Sequence, residues 1–589
     1  MKRTPLAAAL AACLIGAGTL IASPAFADDA AEMDSLLAQQ QRSDNFYRAY
    51  FPDAAIGRKA AVSFHDQILE SNWKAGYLVM QLDADDVTKL KAAKFRVVKD
   101  TAFTQRYQDM LAKLRRAGAP NLFGASGARL AAQADEGGEA IPNFPCYQTV
   151  EETFAAAQAS TTTYSKLATW TPVGESWQKT QGLGGYDIGV LKLTNGTTTG
   201  PDGAAKPKLF VNSAIHAREY ATAPLMLAFA TQLLTGYGKD ADATWILDHH
   251  EVHLLLQTNP DGRKKAEGGL LWRKNTNQAY CGANSNDRGA DLNRNFTYSW
   301  NKTNGQGSSG NPCAETYRGS SAGSEPETQT IEGYVRNLWP DRRGPNQNDA
   351  APADTSGIHL DIHSYSQLVL WPWGFTGQTA PNGTALQTLG RKFAYFNGYT
   401  PEQSIGLYPT DGTSDSVSYG ELGVAAYTFE IGTSFFQSCT SFESTIKPKN
   451  LPALLYAAKV VRTPYLTPAG PDVSALKLSN KAAKKGVTAG TPVTLTATVI
   501  DTQYNNTNGT EPTQNVAAAE VYIDIPPWMP GATALPLSAA DGAFNAKTEG
   551  VTTVLSTTGL AKGKHMVFVR GKDAANNFGP ISASFLKIL

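Results

Sequence analysis

The stretch KPKLFVNSAIHAREYATAPLMLAFATQLL, Lys206 to Leu234, decides the fold. KLFVNSAI is an apolar run of strand length and ends just before His216, and a helix-like stretch begins soon after. A strand end facing a helix start is where an α/β sheet exposes functional side chains. His216 and Glu219 stand at that joint, three residues apart. Residues at this spacing share one face of a helical turn, so the two side chains can reach one ion. Zinc accepts an imidazole nitrogen and a carboxylate oxygen and commonly takes a third protein ligand. Alone, His-x-x-Glu is a weak signal, because most such pairs are capping or solvated side chains.

The surroundings repeat the pattern. From about Cys146 to Pro464, strand-like runs (IGVLKL, EVHLLLQ, IHLDIHS, AAYTFEI) alternate with helical stretches such as LPALLYAAKVV. This alternation argues an α/β domain with a largely buried sheet. A third ligand must come from only eight histidines. LDHHEVHLLL holds His249, His250 and His253 but lacks the His-Glu-x-x-His spacing and runs into a strand, where His253 packs in or beside the sheet. His359 and His363 lie in SGIHLDIHSYSQ. Four strand residues span about 13 Å, so both cannot bind one ion. His363, at the strand end beside a polar loop, is the better placed.

The 589-residue chain is long enough for two to four domains. With 42% apolar and 18% charged residues it is globular in composition, which excludes disordered and collagen-like classes. The net formal charge of zero leaves no electrostatic footprint for nucleic acid or an anionic membrane. Residues 1–27 have a charged start, an apolar stretch and Ala25-Phe26-Ala27, the layout of a secretory signal. Secretion is therefore expected, with no membrane anchor. Residues 28–117 read as a small α+β unit, and the Gly-, Ala- and Ser-rich 118–144 as an exposed linker. Residues 469–589 carry alternating Val- and Thr-rich strands and are expected to form an immunoglobulin-like β-sandwich. Its aromatics, Trp528 among them, read as packing residues rather than a ligand platform. Export makes disulfides possible. Once Cys13 leaves with the signal, Cys146, Cys281, Cys313 and Cys439 remain, and four cysteines permit three pairings.

Six segments occur in one order: SAIHAREYATAPL, LLQTNPDGRKKAEGGLLWRKNTN, GADLNRNF, NPCAETYRG, LDIHSYSQLVLWPWG and AYTFEIG. Together, over roughly residues 145–464, they resemble the zinc carboxypeptidases of the pancreatic carboxypeptidase A/B type, peptidase family M14. The resemblance implies a mixed central sheet flanked by helices, one zinc ion, and a monomeric secreted enzyme acting on peptide or protein C-termini. Residues 28–117 are placed like the inhibitory prodomain of that family, and the C-terminal domain lies outside its pattern.

Residue by residue, the resemblance implies His216, Glu219 and His363 as zinc ligands, with Asp291 holding the first histidine. Seen alone, Asp291 would read as a loop cap. Glu430, a carboxylate ending a buried apolar strand, corresponds to the general base; an acid there is costly to bury without a partner. Arg273 corresponds to the arginine that polarises the scissile carbonyl. Asn293, Arg294 and Tyr408 correspond to the residues that hold the substrate's free carboxylate, and guanidinium suits that task with paired donors. Tyr365 corresponds to a subsite tyrosine. The resemblance also implies a Cys281–Cys313 pair, which leaves Cys146 for Cys439. The side-chain pocket is expected near Gly374, Ser414, Asp415 and Thr428, but YPTDGTSDSVSYG departs from the family there. Ser414 at the pocket floor gives a neutral site for apolar or aromatic residues; Asp415 there gives an ion pair to basic ones. Apolar or mixed specificity is the expectation. Two rival readings stand beside the peptidase: a non-peptide amide hydrolase, and an inactive binding module on the same fold.

Overall fold

The structure is a computed structural model that describes residues 32, 33, 35–39, 45–64, 67–73, 75–116, 140–196, 198–201 and 203–589. The expected signal at 1–27 and most of the expected linker at 118–144 lie outside the described residues. The first sheet comprises Phe46–Tyr50 (β1), Ile68–Asn72 (β2), Tyr77–Gln81 (β3) and Arg96–Lys99 (β4), antiparallel throughout in the order β2-β3-β1-β4. Asp53 and Asp83 start the helices Ala54–Ser63 and Ala84–Ala92 by accepting from Ile56 and Asp86 amides. Leu78, Met80, Leu90 and Phe95 are buried here in one cluster with Tyr365 and Phe435, so this unit shares a core with the next.

The second sheet has eight strands: Ala168–Glu175 (β5), Asp187–Leu193 (β6), Lys208–Ser213 (β7), Glu251–Leu255 (β8), Ile358–His363 (β9), Leu368–Trp371 (β10), Thr400–Gln403 (β11) and Ala425–Glu430 (β12). Their order is β11-β10-β12-β9-β7-β8-β6-β5. The centre, β8-β7-β9-β12, is parallel; β6 pairs antiparallel with both of its neighbours, and β10 pairs antiparallel with β12 but parallel with β11, so the sheet is mixed. Every residue of β8 and β9 is buried, as in a sheet covered on both faces. In β7, Leu209 and Val211 pack against helices Thr222–Gly236 and Lys447–Val460, while Phe210 faces the opposite cluster with Ile331 and Val335 of helix Pro326–Leu338. The parallel register places Ser213 opposite Ile362 and His363 opposite Glu430. The C-terminal ends of β7, β9 and β12 therefore meet at one edge of the sheet, and this alignment assembles the site.

The third body is Asp472–Leu478 (β13), Val493–Ile500 (β14), Val516–Ile523 (β15), Leu535–Ala539 (β16), Thr548–Leu555 (β17), Gly563–Asp573 (β18) and Ser582–Ile588 (β19). All its ladders are antiparallel, in the order β13-β14-β17-β16-β15-β18-β19, and a Val487–Ile588 bridge nearly closes the sheet on itself. It is docked on the helices behind the central sheet. Tyr522, Phe568 and Ile581 belong to the central unit's hydrophobic cluster. Trp528 packs against Trp245, His249 and His250, with Arg462 over its ring, so it is a packing residue as expected. Helix Gly383–Asn397 offers Arg391 to Glu511 at 2.6 Å and Lys392 to Asp472 at 2.5 Å. Asn505 closes that helix's end by donating to the Tyr399 carbonyl at 2.8 Å. Disulfides join Cys146 to Cys439 and Cys281 to Cys313.

Candidate metal centre

His216 and Glu219 follow β7 in a tight turn, not in a helix. The Glu219 amide donates to the His216 carbonyl at 3.3 Å, and the helix begins only at Thr222. The expected helical face is thus replaced by a turn, pinned where Ala217 N donates to the Arg273 carbonyl and Thr222 Oγ1 to the Glu219 carbonyl. It still brings both side chains to one point. His216, Glu219 and His363 are buried, and their donor atoms lie within 4.8 Å of one another. His216 Nδ1 is 2.7 Å from Glu219 Oε1 and 3.1 Å from His363 Nδ1. His363 Nδ1 is 3.4 Å from Glu219 Oε2.

The outer nitrogens are occupied. His216 Nε2 lies 3.2 Å from Asp291 Oδ1, and Asp291 Oδ2 accepts two hydrogen bonds from Arg273. Asp291 also accepts from Asn293 N at 3.0 Å, so it is the loop cap and the histidine's partner at once. His363 Nε2 lies 3.0 Å from Asp361 Oδ2, a residue the sequence reading missed. A signal was present: Asp361 is two residues before His363 on a strand and therefore on the same face.

The carboxyls of this cluster are pulled in different directions. Burial would raise the Glu219 carboxyl, but His216 and His363 hold it well below the usual carboxylate range. Burial likewise opposes ionisation of Asp291, and Arg273, Arg294 and His216 overcome it. Glu430, at the end of β12, is pushed up to about 8 by burial, with Glu219 and Asp361 adding to it and His363 and Arg273 opposing. Two imidazoles whose far nitrogens face carboxylates, with a third carboxylate between them, are a zinc donor set. The residues fit a zinc ion.

A cavity of about 110 Å³ opens on these groups. Arg273, Asn293, Arg294, Tyr365, Tyr408, Asp415, Thr428 and Glu430 all line it. Arg294 Nε donates to Gly307 O and Nη1 to Asn293 O, both at 2.7 Å, and Nη2 lies 3.5 Å from the Tyr408 hydroxyl. Two expected residues stand back. Gly374 does not line the cavity; a Cβ there would strike the Thr410 hydroxyl, and Thr410 forms the wall instead. Ser414 is also absent from the lining, because its hydroxyl donates to Asp361 and its amide to Asn293 Oδ1 at 2.9 Å. Asp415 is buried, its carboxyl raised by burial, and it accepts from Thr413 at 2.6 Å. The N-terminal unit reaches this cavity: Ala61, Ile68, Ser71, Trp73 and Leu78 line it, and Glu70 of β2 bridges to Ser434. His359 turns to Asn212 and Ser418, and His253 to Tyr334 and Glu251, so neither joins the centre.

A zinc carboxypeptidase family profile matches residues 154–451, just over half of the chain. The chain belongs to the zinc carboxypeptidase family. It is 30% identical over 300 residues to carboxypeptidase A1 of Bos taurus, covering 49% of this chain and 63% of that protein. It is 30% identical over 299 residues to the zinc carboxypeptidase of Saccharothrix mutabilis subsp. capreolus, covering 48% of this chain and 62% of that protein. The matched region thus spans less than two thirds of the length of either relative. The fold is that of carboxypeptidase A from Helicoverpa armigera, which aligns with a TM-score of 0.51 at 20% identity, over 70% of this chain and 97% of that one.

Proposed function

We propose that the chain is a secreted zinc metallocarboxypeptidase that hydrolyses the last peptide bond of a substrate and releases single C-terminal residues. The observation that carries this reading is one cavity lined by His216, Glu219 and His363, by Glu430, and by Arg294 with Tyr408. A zinc ion held by the first three would supply Lewis-acid polarisation of the scissile carbonyl and a water acidic enough to attack it. Glu430 takes the attacking water's proton and passes it to the leaving amine. Its carboxyl, raised by burial, ionises more readily once positive charge sits among the donors. Arg273, oriented by Asp291, stabilises the developing oxyanion. Arg294, Asn293 and Tyr408 bind the terminal carboxylate, and this clamp favours an exopeptidase over an amide hydrolase acting on uncharged substrates. The complete set of ligands and base disfavours an inactive binding module.

Specificity follows from the pocket. Leu370, Leu407 and Thr428 offer an apolar wall, and Asp415 places a carboxylate in the lining, while Ser414 is turned away to Asp361. These features support mixed specificity, with apolar residues accepted on the wall and basic ones through Asp415. Residues 28–117 act as an inhibitory prodomain, supported by Trp73 and its neighbours in the cavity lining, and 118–144 is the stretch trimmed to activate the domain at 145–464. The body at 469–589 is read as an immunoglobulin-like sandwich. Support comes from β16, whose first half pairs with β15 and second half with β17, as a strand that switches layers does. The signal layout at 1–27 and the two disulfides support secretion as a monomer.

The test is a panel of peptides with varied C-terminal residues, free or amidated, offered to the trimmed, zinc-loaded enzyme. Release confined to free C-termini is expected; equal cleavage of amidated peptides would sink the exopeptidase reading. Asp415→Asn should lower kcat/KM for C-terminal Lys and Arg roughly tenfold, about 1.4 kcal/mol, and leave Phe and Leu nearly unchanged.

A further inference from the structure

His363 has a carboxylate of its own, Asp361, to which the resemblance assigns no role. Asp361 Oδ2 faces His363 Nε2 at 3.0 Å and accepts from the Ser414 hydroxyl. Its Oδ1 accepts from Asn212 Nδ2 at 2.7 Å. Asn212 Oδ1 lies 2.6 Å from His359 Nε2, and His359 Nδ1 lies 2.7 Å from the Ser418 hydroxyl. All six residues are at most 1% exposed. The ladder crosses from β7 to β9 inside the sheet and ends twice on Ser414–Ser418, the segment that contains Asp415.

Donor and acceptor roles along it follow from the fixed acceptors and donors. Asn212 must turn its NH₂ to the Asp361 carboxylate, which only accepts, so its oxygen faces His359 Nε2 and that nitrogen donates. Burial pushes His359 down to about 4, so the ring carries one proton near neutrality and Nδ1 accepts from Ser418. Donation therefore runs Ser418 to His359 to Asn212 to Asp361, with Ser414 adding a second hydrogen to Asp361. The remaining donor facing Asp361 is His363 Nε2–H. Asn293 Nδ2 lies 3.1 Å from the same nitrogen, but Asn293 Oδ1 is taken by the Ser414 amide, so its NH₂ cannot accept that hydrogen. With the proton on Nε2, the lone pair sits on Nδ1, the atom that faces His216 and Glu219.

We propose that Asp361 is a positioning residue of the metal centre, fixing the tautomer and ring orientation of His363, and that the buried Asn212–His359–Ser418 ladder with Ser414 holds Asp361 in place. The centre then has two carboxylate–imidazole pairs, Asp291–His216 and Asp361–His363, and the second is wired to the pocket segment. Outer partners of this kind typically change metal affinity by about 10- to 100-fold when removed.

The proposal rests on the metal-centre reading, and its readout is metal binding rather than turnover. The full chain, parent and variants, is titrated with zinc against a chelating indicator, and the cobalt(II)-loaded forms are compared by visible absorption. Asp361→Asn should weaken zinc about 10- to 100-fold and change the cobalt spectrum. Ser414→Ala, which removes one donor and keeps the carboxylate, should weaken zinc about two- to fivefold, with Ser414→Thr restoring it. If Asp361→Asn is too unstable to purify, Ser414→Ala with its Thr rescue decides alone. Zinc affinity within twofold of parent and an unchanged cobalt spectrum in the variants would overturn the positioning role while leaving the metal centre intact. A parent chain that takes up no zinc would overturn both.

Discussion

Buried charge occurs on two sides of the central sheet, and the two sides use it differently. Behind the sheet, at the contact with the C-terminal body, charges are closed off in pairs: Arg391 with Glu511 and Lys392 with Asp472, each group under 9% exposed. At the strand ends, Glu219, Asp291, Asp361 and Glu430 crowd around two imidazoles and Arg273, and the carboxyls are driven in opposite directions, Glu219 down and Glu430 up. A cluster that leaves one carboxylate depressed and another raised has room for a cation and for a proton in transit, and so it reads as chemistry rather than support.

The sharpest break between the two sides is Glu430→Gln. It keeps every donor of the metal cluster and should lower kcat by about 10²- to 10⁴-fold with zinc still bound at one per chain. Turnover within a few-fold of parent refutes the base assignment. The counterpart behind the sheet is Glu511→Ala, which strands Arg391 and should cost about 3–5 kcal/mol of stability, seen in denaturant unfolding, with little change in kcat/KM. If it instead abolished turnover and left the unfolding midpoint alone, the division into support and chemistry would collapse. Next in size is Arg294→Ala. Losing a charged hydrogen-bond partner of the terminal carboxylate should weaken free C-termini about 10- to 150-fold, an expected 1.5–3 kcal/mol. The same peptides with amidated ends should hardly respond.

The smallest effect concerns a buried acid that belongs to neither group. Glu327 accepts from Trp177 N at 2.7 Å and Asn275 Nδ2 at 3.1 Å, and burial, with Asp261 and Glu325 nearby, pushes its carboxyl up to about 8 from an ordinary 4.5. The folded chain therefore keeps a proton that the unfolded chain has released. Its contribution to stability is complete below about pH 4.5 and is lost as pH rises through about 8. Glu327→Gln should flatten the fall in the thermal midpoint between about pH 5 and pH 9. A slope identical to parent shows that the proton is held elsewhere.

The central sheet was legible because its strands are buried on both faces and so read as unbroken apolar runs. The metal triad was legible only jointly: His216 and Glu219 gained meaning from His363 and Glu430, which parallel register brings to the same edge. Local conformation was less clear, since three-residue spacing fits a helical face and the tight turn that occurs equally well. Asp361 escaped because an acid inside a strand reads as an ordinary alternation, and its partners Asn212 and Ser414 come from other elements. The docking of the C-terminal body was illegible for a similar reason. Arg391 and Lys392 look like solvated helix cations until Glu511 and Asp472, 120 and 80 residues away in the chain, arrive beside them. Gly374 and Ser414 show the converse, being close in sequence to the pocket but turned to Thr410 and Asp361.

For the trimming proposed within 118–144, the Cys146–Cys439 bond has a consequence. Cys146 lies just beyond the stretch 118–144, and Cys439 follows shortly after Phe435, which lines the cavity. A chain cut within 118–144 therefore begins its life with the fresh amino terminus moored covalently a few residues in. However ragged the cutting, every product shares one fixed anchorage near the cavity, and heterogeneity at the new end is kept from spreading into the site.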